Sequence, residues 1–377
     1  MTDTTDVVEL TRQLIRIRSI NPPGDEEECA RWLAAYLDSL GFVTNLMSFG
    51  QGRFNLVADY IGKGGGKVLA FSGHLDTVPL GSAAWTVDPF AAEIRDGRLY
   101  GRGATDMKSG IAAFLVACIE SRDALLGTAG VRLLLTGGEE TGCDGARALT
   151  KSSPDYHEGV GALIVGEPTR NYPCVGHKGA LWLKGSAVGV SAHGAMPEAG
   201  VNAIYKVMDA IDRLRAFDLI HRHPLMGAAS MNVGTIQGGL NVNSVPDQAT
   251  FEVDFRTVPG MEHQGLRADL AALLGDRVEL APFVDVPPLE TSASDPWIQR
   301  VFHCCAQFVG AIEPKVVPYF TDGSVLAPRS REFPVVVLGP GEPDMMHKTD
   351  EYCRVDRLLE GVEVYKSLLS DWVSQSC

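Results

Sequence analysis

No apolar run in this 377-residue sequence reaches the roughly 18 residues that would suggest a membrane span. The N-terminal stretch MTDTTDVVELTRQLIRIRS has no basic leader followed by an apolar core, so it does not read as a signal peptide. Positive charge is scarce: 33 Lys and Arg stand against 47 Asp and Glu, a formal net charge of −14. That balance argues against a nucleic-acid-binding surface and against docking on anionic membranes. The eight cysteines show no CxxC spacing, and Cys304 and Cys305 are adjacent. Neither a disulfide framework nor a zinc knuckle is built that way, so reduced thiols in a cytoplasmic protein are expected. No internal repeat and no low-complexity segment interrupts the chain.

What is present is an ordinary globular balance, 45% hydrophobic and 21% charged. The length exceeds what one core usually holds and predicts about two domains. Residues 7–17 have helical apolar spacing, stopped by NPPG at Asn21; residues 26–40 form a second amphipathic stretch closed by Gly41. FNLVADYIG and KVLAFSG are β-rich runs joined by GKGGGK, which predicts a hairpin. Residues 108–122 read as a buried helix. VRLLLTGG, GALIVGEP and FPVVVLGPG are continuous apolar runs, the pattern of strands covered on both faces. Alternation of such strands with helices predicts an α/β fold with a mixed, mostly parallel sheet flanked by helices. From about Gly176 to Pro288 the strands alternate openly. In ATFEVDFRTV, Phe251, Val253 and Phe255 share one face, and Glu252, Asp254 and Arg256 share the other. An inserted α+β domain is therefore predicted over 177–288, between two parts of the first domain, 1–176 and 289–377.

The polar residues that follow the apolar runs carry the chemistry. His74 follows VLAFSG, Glu139 and Glu140 follow RLLLTGG, Glu167 follows ALIVG, and His347 lies a short loop beyond VVVLGPG. Asp106 sits in GRGATDMKSG, just before the buried helix. Ligands of open α/β sheets sit outside the carboxyl ends of the strands, so distant segments can deliver these side chains to one crevice. A lone His or Glu in a polar loop needs no ligand role, but the same placement recurs after four strands. His with Asp and Glu, and no thiolate, suits zinc or another divalent first-row metal in a hydrolytic site. Two His, two Glu and one Asp are too many for a single four-coordinate zinc with an open position. They fit two metals if Asp106 bridges them. Such cations are what would stabilise carboxylates placed behind buried strands.

Together these segments resemble the dinuclear zinc amidohydrolases that include acetylornithine deacetylase, succinyl-diaminopimelate desuccinylase, aminoacylase and glutamate carboxypeptidase. The resemblance runs nearly the whole chain, through GHLDTVP, WTVDPF, LYGRGATDMKSG, GGEETG, GEPT, GHKG, SAHGAMPEAGVNAI, NVGTIQGG, DFRTVPG and GPGEPDMMHKTDEY. It implies two divalent metal ions per chain, zinc first, with cobalt or manganese as alternatives. Asp106 would bridge them, His74 and Glu167 completing one site, Glu140 and His347 the other. It implies Glu139 as general base, Asp76 as the partner that orients His74, and a cis Asp106–Met107 peptide bond. The inserted domain would be a ferredoxin-like dimerisation lid in a homodimer, GHKG around Lys178 its hinge, with His193 reaching the partner's site to stabilise an oxyanion. Arg256 and Asn243 would hold a substrate carboxylate, an apt role for an Arg fork. Gly323 in FTDGS, with Gly339 to Gly341, would line the pocket.

The implied reaction is hydrolysis of the amide bond of an N-acyl amino acid, closest to acetylornithine deacetylase, with succinyl-diaminopimelate desuccinylase next. A carboxypeptidase or dipeptidase of the same class stays open, as does a non-catalytic binding relative that kept the fold. Three other motifs are set aside. GKGGGKV lacks the spacing and the Ser/Thr of a phosphate loop. GRGATD has Asp106 where a dinucleotide fingerprint needs its third Gly. HRH at His221 is expected on the surface, at a helix end.

Overall fold

The computed structural model describes residues 6–327 and 333–376. Its main strands are β1 (Val43–Gly50), β2 (Arg53–Ile61), β3 (Val68–His74), β4 (Gly130–Thr136), β5 (Val160–Val165), β6 (Gly179–Val188), β7 (Ser230–Gly238), β8 (Gln248–Thr257), β9 (Glu279–Val286) and β10 (Val335–Val337). Its main helices are α1 (Val7–Arg16), α2 (Glu27–Ser39), α3 (Ser109–Glu120), α4 (Ala203–Arg215), α5 (His263–Leu274), α6 (Pro296–Val309) and α7 (Val355–Ser376). The chain divides into two compact units. The second is His177–Leu289 with Pro318–Phe320; the first holds the described residues outside it.

In the first unit a six-stranded sheet has the order β1-β2-β4-β3-β5-β10. The pairs β4–β3, β3–β5 and β5–β10 are parallel. The pairs β1–β2 and β2–β4 are antiparallel. This is the mixed, mostly parallel α/β sheet that the apolar runs predict. The predicted hairpin between β2 and β3 does not form, because β4 lies between them in the sheet. A real hairpin joins β1 to β2 one step earlier, around Gly52 at φ +70°. A glycine-rich linker looks the same in sequence whether its strands pair or a later strand is inserted.

Helix α3 is buried along Ser109 to Cys118. Phe114 stacks on Phe71 of β3 with ring centroids 4.3 Å apart, and Tyr365 of α7 meets both rings edge-on. Such pairs add about 0.5–1.5 kcal/mol beyond area burial. A Cβ on Gly110 would stand 2.0 Å from the Gly166 carbonyl oxygen, so glycine lets the start of α3 abut the end of β5. That contact sets the Asp106 segment beside Glu167.

In the second unit a four-stranded antiparallel sheet has the order β7-β8-β6-β9, with α4 between β6 and β7 and α5 between β8 and β9. This βαββαβ order is ferredoxin-like. Strand β8 alternates as its sequence predicts: Phe251, Val253 and Phe255 are buried, and Glu252, Asp254 and Arg256 are half-buried.

Candidate metal centre

Four parallel neighbours deliver their carboxyl ends to one place. His74 is the last residue of β3 and pairs in register with Thr136, the last of β4. Beyond Thr136 the chain passes Gly137 and Gly138, the latter at φ +73°, and presents Glu139 and Glu140. Glu167 follows β5 by two residues, and the loop beyond β10 brings His347. Asp106 lies in a single wide turn, Ala104–Lys108, ahead of α3, and its peptide bond to Met107 is cis.

Asp106 faces two ways. Its Oδ1 lies 3.0 Å from His74 Nε2, and its Oδ2 lies 3.4 Å from His347 Nε2. Glu167 Oε1 is 3.7 Å from His74 Nε2, and Glu140 Oε2 is 3.0 Å from His347 Nε2. Two groups of potential metal ligands result, His74–Asp106–Glu167 and Asp106–Glu140–His347, with Asp106 common to both. A tetrahedral zinc with bonds of about 2.0–2.1 Å holds its ligand atoms about 3.3 Å apart. The four observed separations bracket that spacing.

The protonation pattern fits cations as well. His74 Nδ1 lies 2.9 Å from the main-chain oxygen of Asp76. A carbonyl can only accept, so Nδ1 carries a hydrogen; despite burial, the Asp106 carboxylate holds the imidazole well above its ordinary value, so without metal Nε2 carries a hydrogen too and donates it to Asp106. A metal ion would take the place of that hydrogen between Nε2 and the carboxylate oxygen. Glu139 and Glu167 are buried, and Oε1 of Glu139 and of Glu140 has no hydrogen-bond partner. Burial, then the neighbouring Glu167 carboxylate, pushes Glu139 well above the ordinary carboxylate range. Burial does the same to Glu167, with Asp106 and Glu140 adding to it. Asp106 and Glu140 push His347 up to about 10. The site holds more negative charge than its histidines can balance, which is the condition a pair of dications relieves.

Asp76 lies beside the His74 ring. Its main chain, not its side chain, meets the His74 ring; Oδ1 stands 3.6 Å from Nδ1, beyond hydrogen-bonding distance. The carboxylate instead accepts the N–H groups of Glu139 and Glu140, each at 3.2 Å.

The remaining expected residues belong to one unit or the other. In the second unit, exposed His193 accepts the Ala195 N–H on Nδ1 at 3.1 Å, which leaves Nε2 as the donor. The neighbouring Gly194 N–H donates to the Asn243 carbonyl at 2.8 Å, so His193 and exposed Asn243 sit side by side. Arg256 pairs with Asp254 at 3.0 Å and lies 5.7 Å from the Trp182 ring centre. Lys178 donates to the Ala228 carbonyl at 2.5 Å. Gly323, in the first unit, is buried, and its N–H donates to Thr321 Oγ1 at 3.1 Å. His221 is exposed next to a two-residue strand, Arg222–His223, rather than at a helix end. A hydroxyl–imidazole–carboxylate chain, Thr257–His263–Asp285, has both contacts at 2.7 Å. Thr257 is fully buried, so the chain ties α5 to its sheet and cannot meet a substrate.

Sequence reasoning missed three residues around the centre. Glu351 shares the segment of His347, Asn21 was read only as a helix stop, and buried Asp322 accepts a short hydrogen bond from Thr136 Oγ1.

A mostly parallel α/β sheet whose strand ends carry this ligand set defines a metal-dependent hydrolase of the dinuclear type. Residues 70–371 match the model of peptidase family M20/M25/M40, and the chain belongs to that family. It is 30% identical to a Staphylococcus epidermidis protein named "Probable succinyl-diaminopimelate desuccinylase", over 98% of both chains. It is 32% identical to the acetylornithine deacetylase of Vibrio campbellii, over 92% of this chain and 93% of that one. Among solved structures it resembles an M20 family metallo-carboxypeptidase of Sulfolobus solfataricus, with TM-score 0.82 and 18% identity over 98% and 99% of the chains.

Proposed function

We propose that this chain hydrolyses the amide bond of N-acyl amino acids, with Asp106 bridging two divalent metal ions. The observation that carries the reading is the division of Asp106, one oxygen toward His74 and the other toward His347. His74 and Glu167 would complete one site, and Glu140 and His347 the other. Zinc suits the donor set, and cobalt or manganese can replace it. When bound, such ions polarise the amide carbonyl and lower the pKa of water toward about 7.

Glu139 is the general base. Its unpartnered Oε1 takes a proton from the attacking water and returns it to the departing amine. A buried carboxylate with one unpartnered oxygen suits a group that must both accept and donate a proton. His193, donating through Nε2, stabilises the oxyanion in the partner chain of a homodimer. Arg256 and Asn243 hold the substrate carboxylate, and Gly323 lines the pocket. The names of two relatives, a desuccinylase and a deacetylase, support removal of an acyl group from an amine. The Sulfolobus structure's name favours a second reading, a carboxypeptidase. All seven described cysteines are free and buried, which supports a reducing, cytoplasmic setting. Among the described residues no helix is long and apolar enough to cross a membrane.

A hydrolysis screen decides between the readings. Metal-loaded protein with N-acetyl amino acids, N-succinyl amino acids and dipeptides should release free amine from the acylated substrates. Cleavage of dipeptides alone overturns the deacylase reading in favour of the peptidase.

A further inference from the structure

Asn21 opens the Asn-Pro-Pro-Gly loop and is 2% exposed. Its backbone is pinned beside the residues that follow β3. Asn21 N–H donates to the Thr77 carbonyl at 2.8 Å and Thr77 N–H to the Ser19 carbonyl at 2.9 Å; the Ser19 hydroxyl donates to the Leu75 carbonyl at 2.6 Å. The side chain therefore extends from a fixed point. A carboxylate can only accept, so the face of Asn21 turned to Asp76 is its NH₂ group. That group has two hydrogens and two acceptors, Asp76 Oδ2 at 2.9 Å and Thr141 Oγ1 at 3.1 Å.

Asp76 carries the contact onward. Its Oδ1 accepts the Glu139 N–H and its Oδ2 accepts the Glu140 N–H. A closed ring results, from Asn21 to Asp76, to Glu140, along the chain to Thr141, and back to Asn21. Asp76 has a competing partner in His74 Nδ1, 3.6 Å from Oδ1. With Asn21 removed, Oδ2 loses its side-chain donor, and the carboxylate is freer to rotate toward the imidazole and release the two amides. A base must stay within hydrogen-bond reach of the proton it moves, so a loosened turn slows the chemical step.

We propose that Asn21 is a positioning residue for the reaction: its amide holds the Asp76 carboxylate against the turn that presents Glu139. The kinetic part of this inference rests on the hydrolase reading above; the structural part does not.

Asn21→Leu keeps the size and removes both donors. Hydrogen exchange on the full chain should show the amides of residues 138–141 exchanging about tenfold faster than in the wild type, with other segments unchanged. On the N-acyl amino acid that the wild type hydrolyses best, kcat should fall about 10–100-fold, with KM and metal content within about twofold of wild type. On an Asp76→Ala background Asn21→Leu should have no further effect, because it acts through Asp76. If Asn21→Leu folds poorly, Thr141→Val removes one of the two acceptors and should give the same local exchange in weaker form. Unchanged exchange at 138–141, or a full additional loss on the Asp76→Ala background, overturns the proposal. A wild type that hydrolyses no N-acyl amino acid contradicts the deacylase reading instead, and the exchange result then judges Asn21 by itself.

Discussion

The main-chain N–H of Asp106 donates to the Glu351 carboxylate at 3.1 Å. The same carboxylate accepts the N–H groups of Gly103 at 3.1 Å and Thr105 at 2.8 Å, and Arg102 Nη1 at 2.6 Å. Glu351 is fully buried and belongs to the segment that carries His347. One side chain thus ties the Asp106 loop to the His347 segment, from the other end of the sequence. Glu351→Ala leaves Arg102 buried without its counter-charge, and breaking a buried pair from one side costs about 3–5 kcal/mol. Urea unfolding should show a loss of that size, and Glu351→Gln a smaller one. A loss under about 1 kcal/mol for Glu351→Ala would mean that the carboxylate does not organise the loop.

Glu139 and Glu140 are adjacent but face different atoms. Glu140 Oε2 faces His347 at 3.0 Å, while Glu139 has a free oxygen and, among the described residues, no histidine contact of that kind. Glu139→Gln should lower turnover about 10²–10⁴-fold with metal content kept. Glu140→Gln should weaken metal binding, and added metal should restore part of the activity. Metal stoichiometry measured beside turnover separates the two, and the reverse pattern would exchange their roles.

Stripped of metal, the protein should lose stability as pH rises. The folded state raises the pKa of Glu139, Glu167 and His347 above their unfolded values, through burial for the carboxylates and through Asp106 and Glu140 for the histidine. Above the ordinary carboxylate value of 4.5 the folded state then binds more protons than the unfolded one, so stability falls with pH. For His347 the loss extends from 6.5 to about 10. Asp106, held low by His347 and His74 despite its burial, acts in the opposite sense only below its ordinary value of 3.8. The difference in Tm between metal-loaded and stripped protein should therefore widen between pH 5 and pH 8 by roughly the linkage of these groups. A difference that narrows would show that the carboxylates are not the metal ligands.

The second unit leaves apolar side chains in water. Tyr205 and Met208 of α4 are 65% and 51% exposed, Ile236 of β7 is 54% exposed, and β7 is an edge strand. Self-association through this face would cover them and pair the edge. Sedimentation should show dimers at micromolar concentration, and Met208→Lys with Tyr205→Glu should shift them to monomers. A wild type that stays monomeric removes the case for His193 acting across subunits.

Much of the candidate site was legible because its residues follow strands with an unmistakable pattern. VRLLLTGG and GALIVGEP are mostly apolar, the pattern of strands covered on both faces, and Glu139, Glu140 and Glu167 come at or just past their ends. The supporting residues carry no such mark. Asn21 precedes two prolines and looks like a helix stop, and only the fold shows its amide beside Asp76. The order of β2, β4 and β3 was also hidden, because strand neighbours are chosen by packing across the sheet rather than by the loop between them.

The sharing of Asp106 is tested most directly by counting metal. Wild-type protein and Asp106→Ala, each saturated with zinc and freed of excess, should be compared by elemental analysis per chain. Two zinc ions are expected in the wild type, and a joint loss of both in Asp106→Ala, because one carboxylate serves the two sites. Asp106→Ala that retains two ions, or that loses one while the other binds as in the wild type, would contradict a bridging aspartate.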